Sequence, residues 1–197
     1  MAVLDDKALD VIFREARTYN GYTDKPVTQE QLRAIWDLMK LGPTSANQMP
    51  ARLTWCLSDD SKAKLAECCS AQNAPKVLKA PVSVIIGMDT NFHEYMPELF
   101  PHNPDAKGWF DGNAELRQSS ALRNSSLQGA YFIIAARALG LDTGPMSGFD
   151  GAKVNVRFFS DTPAVQANFI ATLGYGDPAT IFGRLPRPKF EQFNRFV

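Results

Sequence analysis

Hydrophobic and polar positions along the 197-residue chain change their spacing from stretch to stretch, and each spacing predicts an element. Leu9, Ile12, Phe13 and Ala16 share one face of a first helix over 4–17. Leu32, Ile35, Trp36 and Met39 mark a second, which Thr28 and Gln31 open as a capping box. Residues 52–57 alternate as a strand does, and Ser58-Asp59-Asp60 starts a short helix reaching Cys69. The run 81–87 is β-branched and apolar on both faces, so it predicts a buried strand. Aromatic residues and prolines crowd 91–111, which predicts a loop-rich excursion or lid. A long helix follows over 115–139, and its Ala- and Ile-rich second half predicts burial on every side. A short helix over 154–159 and a strand over 167–173 come next. From 178 onward, Pro186 and Pro188 prevent a single regular element. This mixed order implies an α+β fold with an internal sheet, in one domain covering 1–197.

Two loops interrupt the pattern. At Gly140 the long helix meets a glycine suited to a helix C-terminus, followed by Gly144, Pro145, Met146, Ser147 and Gly148. Small residues there can bring backbone N–H groups close to a flat ligand, although a plain helix-to-strand connection would use the same residues. Between Gly42 and Pro50 lie Pro43, Thr44, Ser45, Asn47 and Gln48, neutral groups suited to the polar edge of a heterocycle or to an ordinary turn.

Composition narrows the function classes. Hydrophobic residues make up 45% and charged residues 21%, enough apolar material for a core and too little charge for disorder. Lys plus Arg and Asp plus Glu are 21 each, so zero net charge supports neither a nucleic-acid surface nor a polybasic membrane patch. No apolar run is long enough to span a bilayer, and the first residues lack a signal-peptide pattern. Three cysteines, two of them adjacent at Cys68-Cys69, form neither a disulfide framework nor a zinc spacing, which predicts reduced thiols and a cytoplasmic protein. His93 and His102 are the only histidines, and no metal site is expected.

In order along the chain, Pro43-Thr44-Ser45-Ala46-Asn47-Gln48-Met49-Pro50 and the Gly140-Leu141 through Pro145 to Gly148-Phe149 stretch resemble the two flavin loops of the nitroreductase family. Tyr22-Thr23-Asp24-Lys25-Pro26-Val27 and Leu173-Gly174-Tyr175-Gly176 extend the resemblance over nearly the whole chain. Within that family, Ala16-Arg17-Thr18, Asn20-Gly21, Leu99-Phe100-Pro101-His102, Arg123-Asn124-Ser125-Ser126 and Arg184-Leu185-Pro186-Arg187 are similar to the RutE-type malonic semialdehyde reductases of uracil degradation.

The resemblance implies a mixed, mostly antiparallel sheet wrapped by helices, in an interwoven homodimer with sites at the interface. It implies FMN as cofactor, NADH or NADPH as a transient electron donor, and reduction of malonic semialdehyde to 3-hydroxypropionate. Arg17, Thr18 and Asn20 stand at the family's phosphate segment, although Ala16 and Asn20 replace positions often occupied by Arg or Lys. Arg184 and Arg187 would supply the missing charge. Pro43, Thr44, Ser45 and Asn47 would contact the flavin across the interface, and Pro145, Met146, Ser147 and Gly148 would line its N5 edge. Asn73 is a ring-edge candidate or a turn residue. For the substrate carboxylate the first candidate is Arg123 with Asn124 and Ser125, and the second is Arg52. Trp109 and Phe110 would wall the pocket or pack in the core. No side chain is expected to be catalytic, since the flavin carries the chemistry. The absence of a Gly-x-Gly-x-x-Gly stretch fits a nicotinamide that only stacks and leaves. Two alternatives remain open: a broad NAD(P)H nitroreductase or quinone reductase, and a flavin-binding dimer without enzymatic activity.

Overall fold

The computed structural model describes residues 2–197. Helix α1 (Asp6–Leu9) runs on through a π-turn at Asp10–Arg14, and α2 (Gln29–Met39), strand β1 (Ala51–Cys56), α3 (Asp59–Ala66), α4 (Ala74–Lys79) and β2 (Val82–Asp89) follow. The excursion holds α5 (Met96–Leu99) between 3-10 turns at Phe92–Tyr95 and Pro104–Trp109. Then come α6 (Ala114–Ala138), β3 (Asp142–Met146), α7 (Gly151–Phe158), β4 (Val165–Gly174), a 3-10 turn at Pro178–Thr180 and α8 (Phe190–Phe193).

The four strands pair antiparallel in the order β1-β2-β4-β3. Successive side chains of a strand point to opposite faces. Val82, Val84 and Ile86 of β2 therefore join Leu32, Ile35 and Met39 of α2 and Phe132, Ala135 and Ala136 of α6 on one face. Ile85 joins Leu65, Val77, Val154 and Ile170 on the other, under α3, α4 and α7. Every residue of β2 is buried, as its mostly apolar run predicts, Ser83 and Asp89 included. Thr28 caps α2, with Gln31 reaching back to complete the capping box. In the middle of α6, an added Cβ on Gly129 would lie 2.4 Å from the Phe169 ring, so glycine sets how closely α6 approaches the sheet.

The α+β architecture matches the expectation from the element order, with several differences. The sheet is antiparallel throughout, and among the described residues parallel pairing is confined to one isolated bridge, Thr18 with Thr143. The first helix ends at Arg14 rather than residue 17, because Thr18 is drawn out to that bridge. The excursion is packed rather than loose: Phe92, Met96, Ala106 and Phe110 form a third core with Met88 and Ala121. The second half of α6 is not covered on every side, since Leu127 and Leu139 stay exposed, as does Leu122 before them. Residues 142–146, read from the sequence as loop, form the edge strand β3, where Pro145 is tolerated. No helix of the described residues is long and apolar enough to cross a membrane.

The Gly129 contact gives a testable prediction. Gly129→Ala gains about 1 kcal/mol of helix propensity, but its methyl must displace a ring held between α6 and the sheet, an overpacking cost of about 1–3 kcal/mol. Net destabilisation is expected as a lower urea midpoint, and Gly129→Val should fall further.

Candidate functional site

At the end of α6 the chain makes a Schellman turn. Gly140 takes φ 75° and donates to the Arg137 carbonyl at 2.9 Å, while Leu141 donates to the Ala136 carbonyl at 2.9 Å. The turn feeds directly into β3. Against the outer edge of β3 lies the N-terminal segment, with the Tyr19 N–H donating to the Thr143 carbonyl at 3.3 Å. A Cβ on Gly144 would stand 2.6 Å from the Tyr19 carbonyl oxygen, so only glycine admits this approach. The C-terminal segment closes over both. The Asn20 amide donates to the Thr180 carbonyl, Arg17 donates to the Phe182 carbonyl, and Arg184 donates to the Arg14 carbonyl at 2.6 Å.

These segments enclose an open cavity of about 610 Å³, lined among others by Arg14, Arg17, Thr18, Asn20, Arg137, Arg184 and Arg187. Arg14 is neutralised by Asp6 and Asp10 at 2.9 and 3.2 Å. Among the described residues, no carboxylate lies within ion-pair distance of the other four arginines, and none lines the cavity. Such a surplus of guanidinium suits a dianionic phosphate. Arg137 escaped the sequence reading because one arginine in a helix's last turn reads as a dipole complement. It donates to the Ile12 carbonyl at 2.9 Å. Burial pulls its pKa down, Asp142 opposes, and Arg184 adds to the lowering.

Beyond β3, the 146–148 turn rests on residues 68–73. The Gly148 carbonyl accepts from the Ser70 N–H at 3.0 Å and from the Asn73 amide at 3.2 Å. A Cβ on Gly148 would reach within 2.7 Å of the Asn73 amide nitrogen. Of the two readings open for Asn73, its amide takes the turn-holding one. Among the described residues, the N–H groups of Ser147 and Gly148 donate to no acceptor, leaving two open donors side by side.

The other loop leads into β1. It contains every non-glycine residue of positive φ among the described residues: Ala46 at 46°, Asn47 at 50° and Met49 at 43°. Each such residue costs about 1 kcal/mol or more and persists only when its surroundings hold it. The holders are visible. Thr44 accepts from the Met49 N–H at 3.2 Å, Asn124 accepts from the Ser45 N–H at 2.8 Å, and the Asn124 amide donates to buried Gln48 at 3.0 Å. The Tyr131 hydroxyl donates to the Pro43 carbonyl at 2.9 Å, and the Asn47 amide donates to the Leu99 carbonyl at 2.7 Å. Pro43, Ser45 and Asn47 remain exposed.

Three expectations for the substrate side are corrected. Asn124 is fully buried, its amide committed to the loop, so it positions Ser45 rather than meeting a ligand. Buried Ser125 accepts from the Asn168 amide at 2.9 Å. Arg52 is held by Asp89 at 2.7 Å and by the Met49 and Ala51 carbonyls, so its charge is already matched. Of the two readings open for Phe110, it takes the core one, edge-on to Phe92 at 4.9 Å. Trp109 is half exposed beside Phe100, and Arg123 is exposed with no ion-pair partner among the described residues.

The two loops stand on opposite sides of the sheet. One precedes β1 and the other ends β3, the two edge strands. Two strands intervene, so at about 4.8 Å per strand the edges are roughly 14 Å apart.

A family model described as "Nitroreductase family" matches residues 13–175. A Stenotrophomonas maltophilia protein carrying the name NADH dehydrogenase/NAD(P)H nitroreductase is 56% identical over 194 residues, covering 98% of each chain. A Caulobacter protein of the same name is 51% identical over the full length of both. Among solved structures, a Bacillus subtilis nitroreductase superposes with TM-score 0.89 at 20% identity, covering 98% of this chain and all of the other. An Exiguobacterium sibiricum nitroreductase in complex with FMN does so with TM-score 0.87 at 18% identity, covering 100% and 99%.

Removing the clamp on the strained loop should be measurable. Asn124→Leu leaves the Ser45 N–H without an acceptor and Gln48 with Ser120 alone. A loss of about 2–3 kcal/mol is expected in chemical denaturation, together with faster amide exchange confined to 44–49.

Proposed function

Because the chain belongs to the nitroreductase family, we propose that it is an FMN-dependent NAD(P)H oxidoreductase acting in pyrimidine degradation, where it reduces malonic semialdehyde to 3-hydroxypropionate as the RutE-type subgroup does. One observation carries the cofactor half of this reading. The arginine-lined cavity and the paired open donors of Ser147 and Gly148 lie on the same edge of the sheet, joined by the five residues of β3. Arg17, Thr18, Arg184 and Arg187 would hold the phosphate, with Asn20 fastening the tail beside it. The open N–H groups, backed by Pro145 and Met146, would donate to the polar edge of the ring, where donors favour added negative charge. When bound, FMN supplies hydride exchange between the nicotinamide and the acceptor. Residues 1–197 then form one flavin-binding domain.

Pro43, Thr44, Ser45 and Asn47 are too far across the sheet to meet the same ring within one chain, which supports a homodimer whose sites combine the β3 edge of one protomer with the β1 loop of its partner. Exposed apolar residues accord with that: Leu116, Leu122 and Leu127 on α6, Leu41 after α2, and Phe193 and Phe196 in the tail. For the acceptor's carboxylate, Arg123 is the one of the two candidate arginines without an ion-pair partner among the described residues. It adjoins Asn124, the residue that holds Ser45. Trp109 would wall this side. The names of the relatives favour a second reading, in which the same flavin reduces nitroarenes or quinones without a dedicated acceptor.

The purified protein should carry a flavin absorption spectrum that NADPH or NADH bleaches anaerobically; no flavin band after incubation with FMN would sink the reading. Arg123→Ala should raise KM for malonic semialdehyde about 10–100-fold and leave that for an uncharged nitroarene unchanged. An equal effect on both, or a wild-type kcat/KM strongly favouring the nitroarene, would replace the semialdehyde with the second reading. Mixing Arg17→Ala with Asn47→Ala protomers should restore about a quarter of wild-type activity, because one site in each heterodimer is intact.

A further inference from the structure

We infer that Arg137 is a further phosphate contact, beside Arg17, Arg184 and Arg187, by which this protein distinguishes a phosphorylated flavin from an unphosphorylated one, a proposal that rests on the flavin reading above. Three observations meet at this side chain. First, its Nε–H is buried and has no hydrogen-bond partner, although one terminal nitrogen of the same guanidinium reaches the Ile12 carbonyl. A buried donor of a charged group left unpaired is costly, and such groups normally face an acceptor the protein itself does not supply. Second, no carboxylate lies within ion-pair distance of Arg137 among the described residues. Asp142 interacts only at longer range, and it is engaged in accepting from the Gly176 N–H at 2.9 Å. Third, Arg137 lines the cavity whose remaining cations come from the two chain ends.

Its place on α6 explains why it matters more than its neighbours. The cavity lies at the C-terminal end of a 25-residue helix. Helix C-termini carry partial negative charge and repel anions. Arg137, in the last turn, sets a full positive charge at that end. Arg17, Arg184 and Arg187 reach the cavity from segments without regular structure, and all three donate to carbonyls of the chain ends. Arg137 alone is fixed to a core helix, so it is the preorganised contact.

The test is a binding cycle with FMN and riboflavin, which differ by the phosphate, read by flavin fluorescence quenching with wild-type protein, Arg137→Gln and Arg137→Lys. Arg137→Gln should weaken FMN about 10–100-fold and riboflavin less than threefold. Lysine should restore part of the difference, since it supplies charge without the fork. Equal loss for both flavins would make Arg137 a structural residue and overturn the proposal. If wild-type protein binds FMN better than riboflavin and the variants keep that preference, the flavin reading stands and the assignment to Arg137 falls. If wild-type protein binds neither, both fail. Should the variants not fold, the arginine Nε–H resonances of the wild-type protein decide. A slowly exchanging one should move on adding FMN or inorganic phosphate and stay in place with riboflavin; its staying in place with FMN overturns the proposal.

Discussion

Helix α6 lies against the sheet at a separation that Gly129 alone permits, and both halves of the site hang from it. Its first half holds the strained loop through Asn124. Its last turn presents Arg137 and passes through the Gly140 turn into β3. A shift of this helix would move the clamp, the cavity and the edge strand together, because each is tied to it by hydrogen bonds of about 3 Å or shorter. The core between α6, α2 and β2 thus serves as the reference frame for the chemistry around it.

Charge is distributed in a way the overall balance conceals. Positive and negative residues are equal in number, yet four arginines without acidic partners collect at one cavity. Holding them there without a counterion opposes folding, and an anion that neutralises them stabilises the folded chain by mass action. The proposed division of the site between two protomers would add a second dependence: retention of the ligand would vary with protein concentration, since dilution that separates the protomers removes the partner's contacts.

Elements governed by local rules were legible in the sequence. The capping box of Thr28, the helix opened by Ser58, the buried β2 and the glycine ending α6 all follow from residue chemistry within one or two turns. Long-range pairing was not. β3 contains a glycine and a proline and has no apolar alternation, so only its partner β4 makes it a strand. The partners of polar side chains were equally hidden: Asn124, Asn73 and Arg52 are plausible ligand contacts in a string of letters, and tertiary neighbours had already engaged all three. Arg137 was hidden the other way, since in sequence it reads as a dipole complement and the missing partner of its Nε–H leaves no mark there.

The left-handed residues Ala46, Asn47 and Met49 show what the clamps around that loop accomplish. An ordinary surface loop samples many backbone states and must give them up when something docks, at about 1–2 kcal/mol of entropy for each residue fixed. Here the folding of the core has already removed those states. A ligand arriving at the loop meets a rigid wall, so shape, rather than adaptability, determines which flat molecules can settle against it.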